Sequence, residues 1–296
     1  MVSIHTGAAI AKGLFTLVTP LGIASLRLSL GSLLLWGIAR PRWRQHAPRN
    51  YGMLALLGLT MGLMNVLLYS AIAYIPIGVA VTLEFLGPLG VALFYSRRGI
   101  DVLWVVMAAA GVTLLTPLQG ASLNLLGITL ALLSGGCWAA YILLAARVGK
   151  VFPGSEGVAM AMTVGAIAIL PFGIGTNGAV LLSPKVLLLG AIVAMMASAL
   201  PYSIEMSALR QIPVRVFGVL MSVEPVVASA VGLVLLGEHL TLRMGAAIAL
   251  VSLAAAGSAG LSQKTDWRTG GDIRWRHCDR VGSRGHPTSN KNPPRS

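Results

Sequence analysis

The chain has 296 residues, 56% of them hydrophobic and only 10% charged, with a formal net charge of +13 and a mean hydropathy of +0.81. So little charge cannot cover a water-soluble domain of this length, which argues against a soluble enzyme or binding module and makes the bilayer the solvent for the surplus apolar residues. The basic residues sit between apolar runs or in the C-terminal tail, where membrane topology accounts for them without nucleic acid.

A helix crosses a bilayer with about 17–25 apolar residues, and at that depth the backbone must pair within the helix itself. The first candidate, Val2–Val18, is interrupted by His5 and Lys12 and reads as most of one span. It lacks the basic n-region and small-residue cleavage site of a signal peptide. Then follow Gly22–Ile38, Tyr51–Ala71, Ile77–Tyr95, Val102–Leu118, Leu125–Leu144, Gly157–Gly175, Lys185–Met206, Val216–Leu236 and Leu242–Leu261. These runs predict an all-α integral membrane protein of ten helices. Residues 262–296 hold eight Lys/Arg against three Asp without periodicity and read as a disordered basic tail. Anionic inner-leaflet lipid would attract such a tail at about 1 kcal/mol per basic residue; a solvated tail without a task is the plainer reading.

The connections alternate in charge. Arg40, Arg42, Arg44 and Arg49 lie between spans two and three, Arg97 and Arg98 between four and five, Arg147 and Lys150 between six and seven, and Arg210 and Arg215 near the eight–nine connection. The opposite connections hold little that is basic, Lys185 and Arg243 at span edges excepted. Lys/Arg excess marks the cytoplasmic side, so both termini are expected inside. An internal repeat fits the count: Ile75-Pro76 returns as Ile212-Pro213, Pro88 as Pro225 and Asp101 as Glu238, each offset by 137 residues. Five helices per copy is an odd number, so the second copy must enter from the opposite side, an inverted repeat of the kind that exposes one site alternately to either face. A duplicated membrane scaffold is the competing reading. The expected units are residues 1–118, 119–261 and the tail 262–296. Ser134-Gly135-Gly136 comes some nine residues into its run, whereas the similar Ser3-Ile4-His5 begins the chain. The repeat therefore implies a first helix about half a span short.

Glu84 falls near the middle of span four. A mid-bilayer acid costs on the order of 2.5–3.5 kcal/mol on insertion scales, so it should face a cavity or a partner. Pro88 cannot donate to the Glu84 carbonyl, which leaves that oxygen free beside the carboxylate, a pairing suited to an ammonium group or a proton. A protonated, hydrogen-bonded structural Glu is the alternative. Glu224-Pro225 is the counterpart in span nine: Pro225 frees the Met221 carbonyl and biases Glu224 away from helical angles. Glu205, in the last turn of span eight, suits a proton relay or the substrate amine; an exposed pair with Arg210 or Arg215, worth about 0–1 kcal/mol, is the other reading. Lys12 and Arg27 are expected to snorkel to the headgroups, with Arg27 alternatively holding a substrate carboxylate. Asn65 and Tyr69 at i, i+4, and Trp138 and Tyr141 at i, i+3, each share a helix face and would line a cavity, unless they serve as interfacial aromatics or interhelical hydrogen bonds. Gly58-Leu-Thr-Met-Gly62 matches a helix-packing motif. There is no HExxH, Walker A, GxSxG or Cys/His cluster, so no catalytic residue, metal or cofactor is expected.

Val81-Thr-Leu-Glu84-Phe-Leu-Gly-Pro88, Ser96-Arg97-Arg98, Gly136-Cys-Trp138-Ala-Ala-Tyr141, Leu200-Pro201-Tyr202-Ser203-Ile-Glu205-Met206 and Leu220-Met-Ser-Val-Glu224-Pro225 resemble the threonine/homoserine exporter group of the drug/metabolite transporter superfamily, built from paired EamA repeats. The resemblance runs from about Ser3 to about Leu261, and it departs at the short first helix and at the tail. It implies a ten-helix inner-membrane exporter of small neutral amino acids driven by proton exchange, a monomer or homodimer whose partners are its substrate, protons and lipid. Because Glu-Pro resembles a pattern general to EamA repeats, Glu224 is equally read as part of the gating fold. An exporter of other metabolites or of cationic drugs is the nearest alternative; an intramembrane enzyme and a non-transporting scaffold are the alternatives of other classes.

Overall fold

In the computed structural model, which describes residues 1–41, 48–95, 100–115, 124–152, 155–201, 204 and 221–261, the described parts of the predicted apolar runs are helical; residues 202–203 and 205–206 of the expected eighth span and 216–220 of the ninth lie outside the described residues. The helices are α1 Val2–Gly13, extended by a tight turn at Leu14–Thr16, α2 Pro20–Ala39, α3 Pro48–Tyr74, α4 Ile77–Glu84, α5 Leu86–Tyr95 and α6 Asp101–Leu115. Then come α7 Leu125–Val148, α8 Glu156–Asn177, α9 Pro184–Ala194, α10 Glu224–Leu236 and α11 Leu242–Leu261. Span four is thus two half-helices, α4 and α5, separated at Phe85. Among the described residues there is no strand. Met1–Ser262 is one compact unit; the predicted tail lies outside the described residues.

Local chemistry sets the ends. Thr19 caps α2 by accepting the Gly22 N–H at 3.2 Å, and Pro20 opens the helix where no donor is needed. The Asn177 side chain receives the Thr19 N–H at 2.7 Å and donates back to its hydroxyl at 2.9 Å, tying the start of α2 to the end of α8. Asn124 caps α7. Gly237 ends α10 at φ 62°, the left-handed conformation glycine adopts without a Cβ penalty.

Among the described residues four helices are long and apolar enough to cross a membrane by length and composition: Pro20–Ala39, Asn50–Tyr74, Leu125–Val148 and, with its tight extension, Glu156–Leu182. Large apolar side chains such as Leu33, Ile167, Phe172 and Val234 are exposed on the outside, as lipid contact requires. Polar side chains are buried instead: Ser25, Asn65, Thr82, Ser134 and Ser198 are at most 2% exposed. The Gly58–Gly62 motif acts as a packing surface. A Cβ on Gly165 of α8 would lie 2.6 Å from the Gly58 carbonyl, and one on Gly58 would strike the Ala161 carbonyl.

Candidate functional site

A cavity of about 120 Å³ lies among α1, α2, α3, α4, α7, the segment after α9 and the start of α10. Of the eight predicted site residues, Glu84, Glu224, Arg27, Asn65, Tyr69, Trp138 and Tyr141 all line it. Glu205 lies outside the described residues. A larger depression of about 390 Å³ between α5 and α7 is lined, among the described residues, by Leu, Gly, Val and Ala, so it offers no polar side chain to a solute.

Glu84 ends α4 and is 5% exposed. Its Oε1 lies 2.6 Å from Ser134 Oγ of α7, which in turn lies 3.0 Å from the Met64 carbonyl of α3. One hydroxyl proton serves one acceptor at a time. The Glu84 carbonyl freed by Pro88 is not offered to the cavity as the sequence suggested. It lies against α7, 2.7 Å from where a Cβ on Gly135 would stand, and Gly87 meets the Gly135 carbonyl in the same way. The break at Phe85 is thus held by a close backbone approach that only glycine permits.

Arg27 does not snorkel. It is 9% exposed, with Nε donating to Ser198 Oγ at 3.1 Å, one terminal nitrogen to the Ala197 carbonyl at 2.7 Å and the other to the Tyr69 hydroxyl at 3.4 Å. Its guanidinium carbon also lies 5.6 Å from the Tyr69 ring centroid, within cation–π range. The cause is the wide turn Met195–Ala199, a π-helical stretch after α9, which brings a carbonyl and a hydroxyl to Arg27 of α2. Those acceptors make the headgroup route unnecessary. Among the described residues three of the five guanidinium donors are used this way, which leaves two to meet a solute anion.

Lys12 also departs from the snorkelling expectation. Its Nζ donates to Glu238 Oε1 at 2.7 Å and to the Ile75 carbonyl at 3.2 Å. An acid 226 residues away in sequence supplies the compensation, and no local pattern announces such a partner.

Glu224 is the first residue of α10 and 5% exposed. The break falls one step before it, at Ser222–Val223, because a proline at the second helical position needs no donor and so leaves Glu224 free to be helical. Its Oε1 lies 3.5 Å from His5 Nε2 of α1, while Oε2 has no hydrogen-bond partner among the described residues. His5, 3% exposed, lines the cavity and was not singled out from sequence. A lone polar residue in an apolar run beside a predicted site helix was its only signal. Asn65 donates back to the Met61 carbonyl at 2.8 Å. Trp138 meets Phe85 edge to face, with centroids 5.5 Å apart, and so packs α7 onto the break.

Residues 125–259 match the model of the EamA-like transporter family. The chain is 44% identical over 261 residues to the threonine/homoserine exporter RhtA of Salmonella typhimurium (strain SL1344), covering 87% of this chain and 88% of that protein. It is 45% identical over 256 residues to the threonine/homoserine exporter RhtA of Escherichia coli (strain K12), covering 84% and 86%. A solved crystal structure aligns with a TM-score of 0.58 over 88% of this chain and 97% of its own, at 21% identity. That likeness concerns the fold.

Proposed function

Because this chain belongs to the EamA-like transporter family, we propose that it exports threonine, homoserine and similar small neutral amino acids across the cytoplasmic membrane, in exchange for protons. The chain is a multi-pass membrane transporter and not an enzyme, as its family and exporter relatives establish. The observation that carries the substrate class is the cavity: one guanidinium with donors to spare and two buried carboxylates face the same space. A zwitterion is complementary to that set, its carboxylate to Arg27 and its ammonium to an acid. The cavity's 120 Å³ also favours a compact solute over a drug-sized one, for which pockets of roughly 300–1,000 Å³ are usual.

We assign proton exchange to Glu84 and Ser134. An ionised Glu84 accepts a hydrogen bond from the Ser134 hydroxyl across their 2.6 Å contact. A protonated Glu84 donates to Ser134 Oγ instead, and the hydroxyl turns its own proton to the Met64 carbonyl, 3.0 Å away. Both charge states are then satisfied, and switching between them changes the bonding between α7 and α3. In a low-dielectric site the ionised state calls for a cation nearby, which the substrate ammonium supplies. Substrate and proton therefore compete for Glu84.

Alternating access is supported by the packing. Spans two and seven (α2, α8), five and ten (α6, α11) and four and nine (α4, α10) are each in contact, and each pair maps onto itself when every span is exchanged with the one five further on. Span three against six (α3, α7) maps onto eight against one (α9, α1), and both pairs touch; three against seven (α3, α8) maps onto eight against two (α9, α2), and both again touch. The breaks at Phe85 and Ser222 are separated by 137 residues, the repeat offset. We read residues 1–118 and 119–261 as two inverted five-helix units with both termini cytoplasmic and the cavity between them. Counterflow of labelled threonine, homoserine and a lipophilic cation in proteoliposomes tests the assignment. Exchange of the amino acids but not of the cation is expected; the reverse would assign the cavity to cationic drugs.

A further inference from the structure

Three buried side chains of the cavity each keep a polar atom that no group among the described residues satisfies: His5 Nε2, Asn65 Oδ1 and Glu224 Oε2. They are 3%, 2% and 5% exposed. Native structures leave few buried polar atoms without a partner, and each one asks for a reason. Here three gather in one cavity from α1, α3 and α10. The Asn65 amide is oriented by one of its two N–H donors, which bonds the Met61 carbonyl. His5 and Glu224 approach to 3.5 Å, longer than the hydrogen bond that would satisfy both.

The donor and acceptor count defines what fits. Glu224 Oε2 and Asn65 Oδ1 only accept, whereas an imidazole nitrogen donates or accepts. An ammonium group would satisfy the two oxygens, but the exporter reading sets the substrate's ammonium against Glu84. A hydroxyl both donates and accepts, so beside the open His5–Glu224 contact it can give its proton to the carboxylate while receiving one from the imidazole. We infer that His5 is a specificity-determining residue: with Asn65 and Glu224 it selects amino acids carrying a side-chain hydroxyl over the same skeleton without one. This deepens the exporter reading and rests on it. Threonine and homoserine both carry the hydroxyl, and α-aminobutyrate is the deoxy skeleton of both. A site built to bond a hydroxyl rejects the analogue lacking it, because its own buried groups are then left unpaired.

The test is homoserine counterflow in proteoliposomes, competed by unlabelled homoserine, threonine or α-aminobutyrate, for the parent, His5→Leu and His5→Gln. The parent is expected to prefer homoserine over α-aminobutyrate by at least about tenfold. His5→Leu should bring that ratio to within about threefold, and His5→Gln, which restores a donor and an acceptor, should keep most of it. A purely structural His5 would change the overall rate and leave the ratio alone. A parent that takes α-aminobutyrate as readily as homoserine, or a His5→Leu protein that keeps the tenfold preference, overturns the inference and assigns the three atoms to water. If His5→Leu does not insert, Asn65→Leu takes its place: a lowered ratio supports the inference and an unchanged one counts against it. A parent that exchanges neither homoserine nor threonine removes the exporter reading itself, and the inference with it.

Discussion

Lys12 Nζ lies 2.7 Å from Glu238 Oε1, and the other oxygen of that carboxylate receives the backbone N–H of Ile77 at 3.0 Å. The contact joins α1 to the first residue of α4 and to the connection before α11, at the wall of the cavity that Ile77 lines. A carboxylate at a helix N-terminus is further favoured by the unpaired amides there. Glu238→Gln should cost about 1.5–3 kcal/mol, the range for a hydrogen bond to a charged group, read as a lower unfolding temperature in detergent. Lys12→Met with Glu238→Gln should cost less than the two single losses added together. Strictly additive losses would mean that the pair contributes nothing as a pair.

The close approach of α3 and α8 makes a second prediction. Gly58→Val forces a side chain into the Ala161 carbonyl and should destabilise the protein by about 1–3 kcal/mol through overpacking. Gly52, on the same helix, has open space where a Cβ would stand; Gly52→Ala should be neutral or stabilising by up to about 1 kcal/mol. Folded yield and unfolding temperature in detergent check both. Equal behaviour of the two variants would contradict the packing described.

Orientation is checked by labelling. With Cys137 and Cys278 replaced by serine, single cysteines at Arg42, Arg98 and Gln119 are treated with a membrane-impermeant thiol reagent from outside the cell. Position 119 should react, and positions 42 and 98 should be protected until the membrane is opened. The opposite pattern would invert the proposed topology. All three positions lie outside the described residues, so the experiment tests the charge rule itself.

The spans were legible in the sequence because lipid imposes one simple rule, apolar runs of sufficient length, and α11 has the predicted bounds Leu242–Leu261. The cavity-lining residues were legible for a related reason. Acids, amides and aromatic pairs within apolar runs are costly unless they face one another, and Glu84, Asn65, Tyr69, Trp138, Tyr141, Arg27 and Glu224 do line one space. What the sequence hid were partnerships across long separations. Snorkelling is the sound default for a lone cation, and only the fold reveals that Arg27 meets Ser198 and Ala197, or Lys12 meets Glu238. Ser134 looked like a repeat marker until Glu84 was found 2.6 Å from it. The break at Phe85 was half legible: Pro88 signalled a lost hydrogen bond, but the role of Gly135 required the neighbouring helix.

The central claim is that Glu84 couples proton entry to amino-acid exit. Glu84→Gln keeps the shape of the protonated acid and removes its exchangeable charge, and the amide can still donate to Ser134. The decisive measurement is uphill flux of threonine or homoserine in vesicles under an imposed pH gradient, with correctly inserted protein confirmed for each variant. The account predicts that Glu84→Gln loses proton-driven accumulation while Glu205→Gln shows only a milder reduction. Glu84→Gln accumulating substrate as fast as the parent, with Glu205→Gln inactive, would contradict it and move the coupling acid to the eighth span.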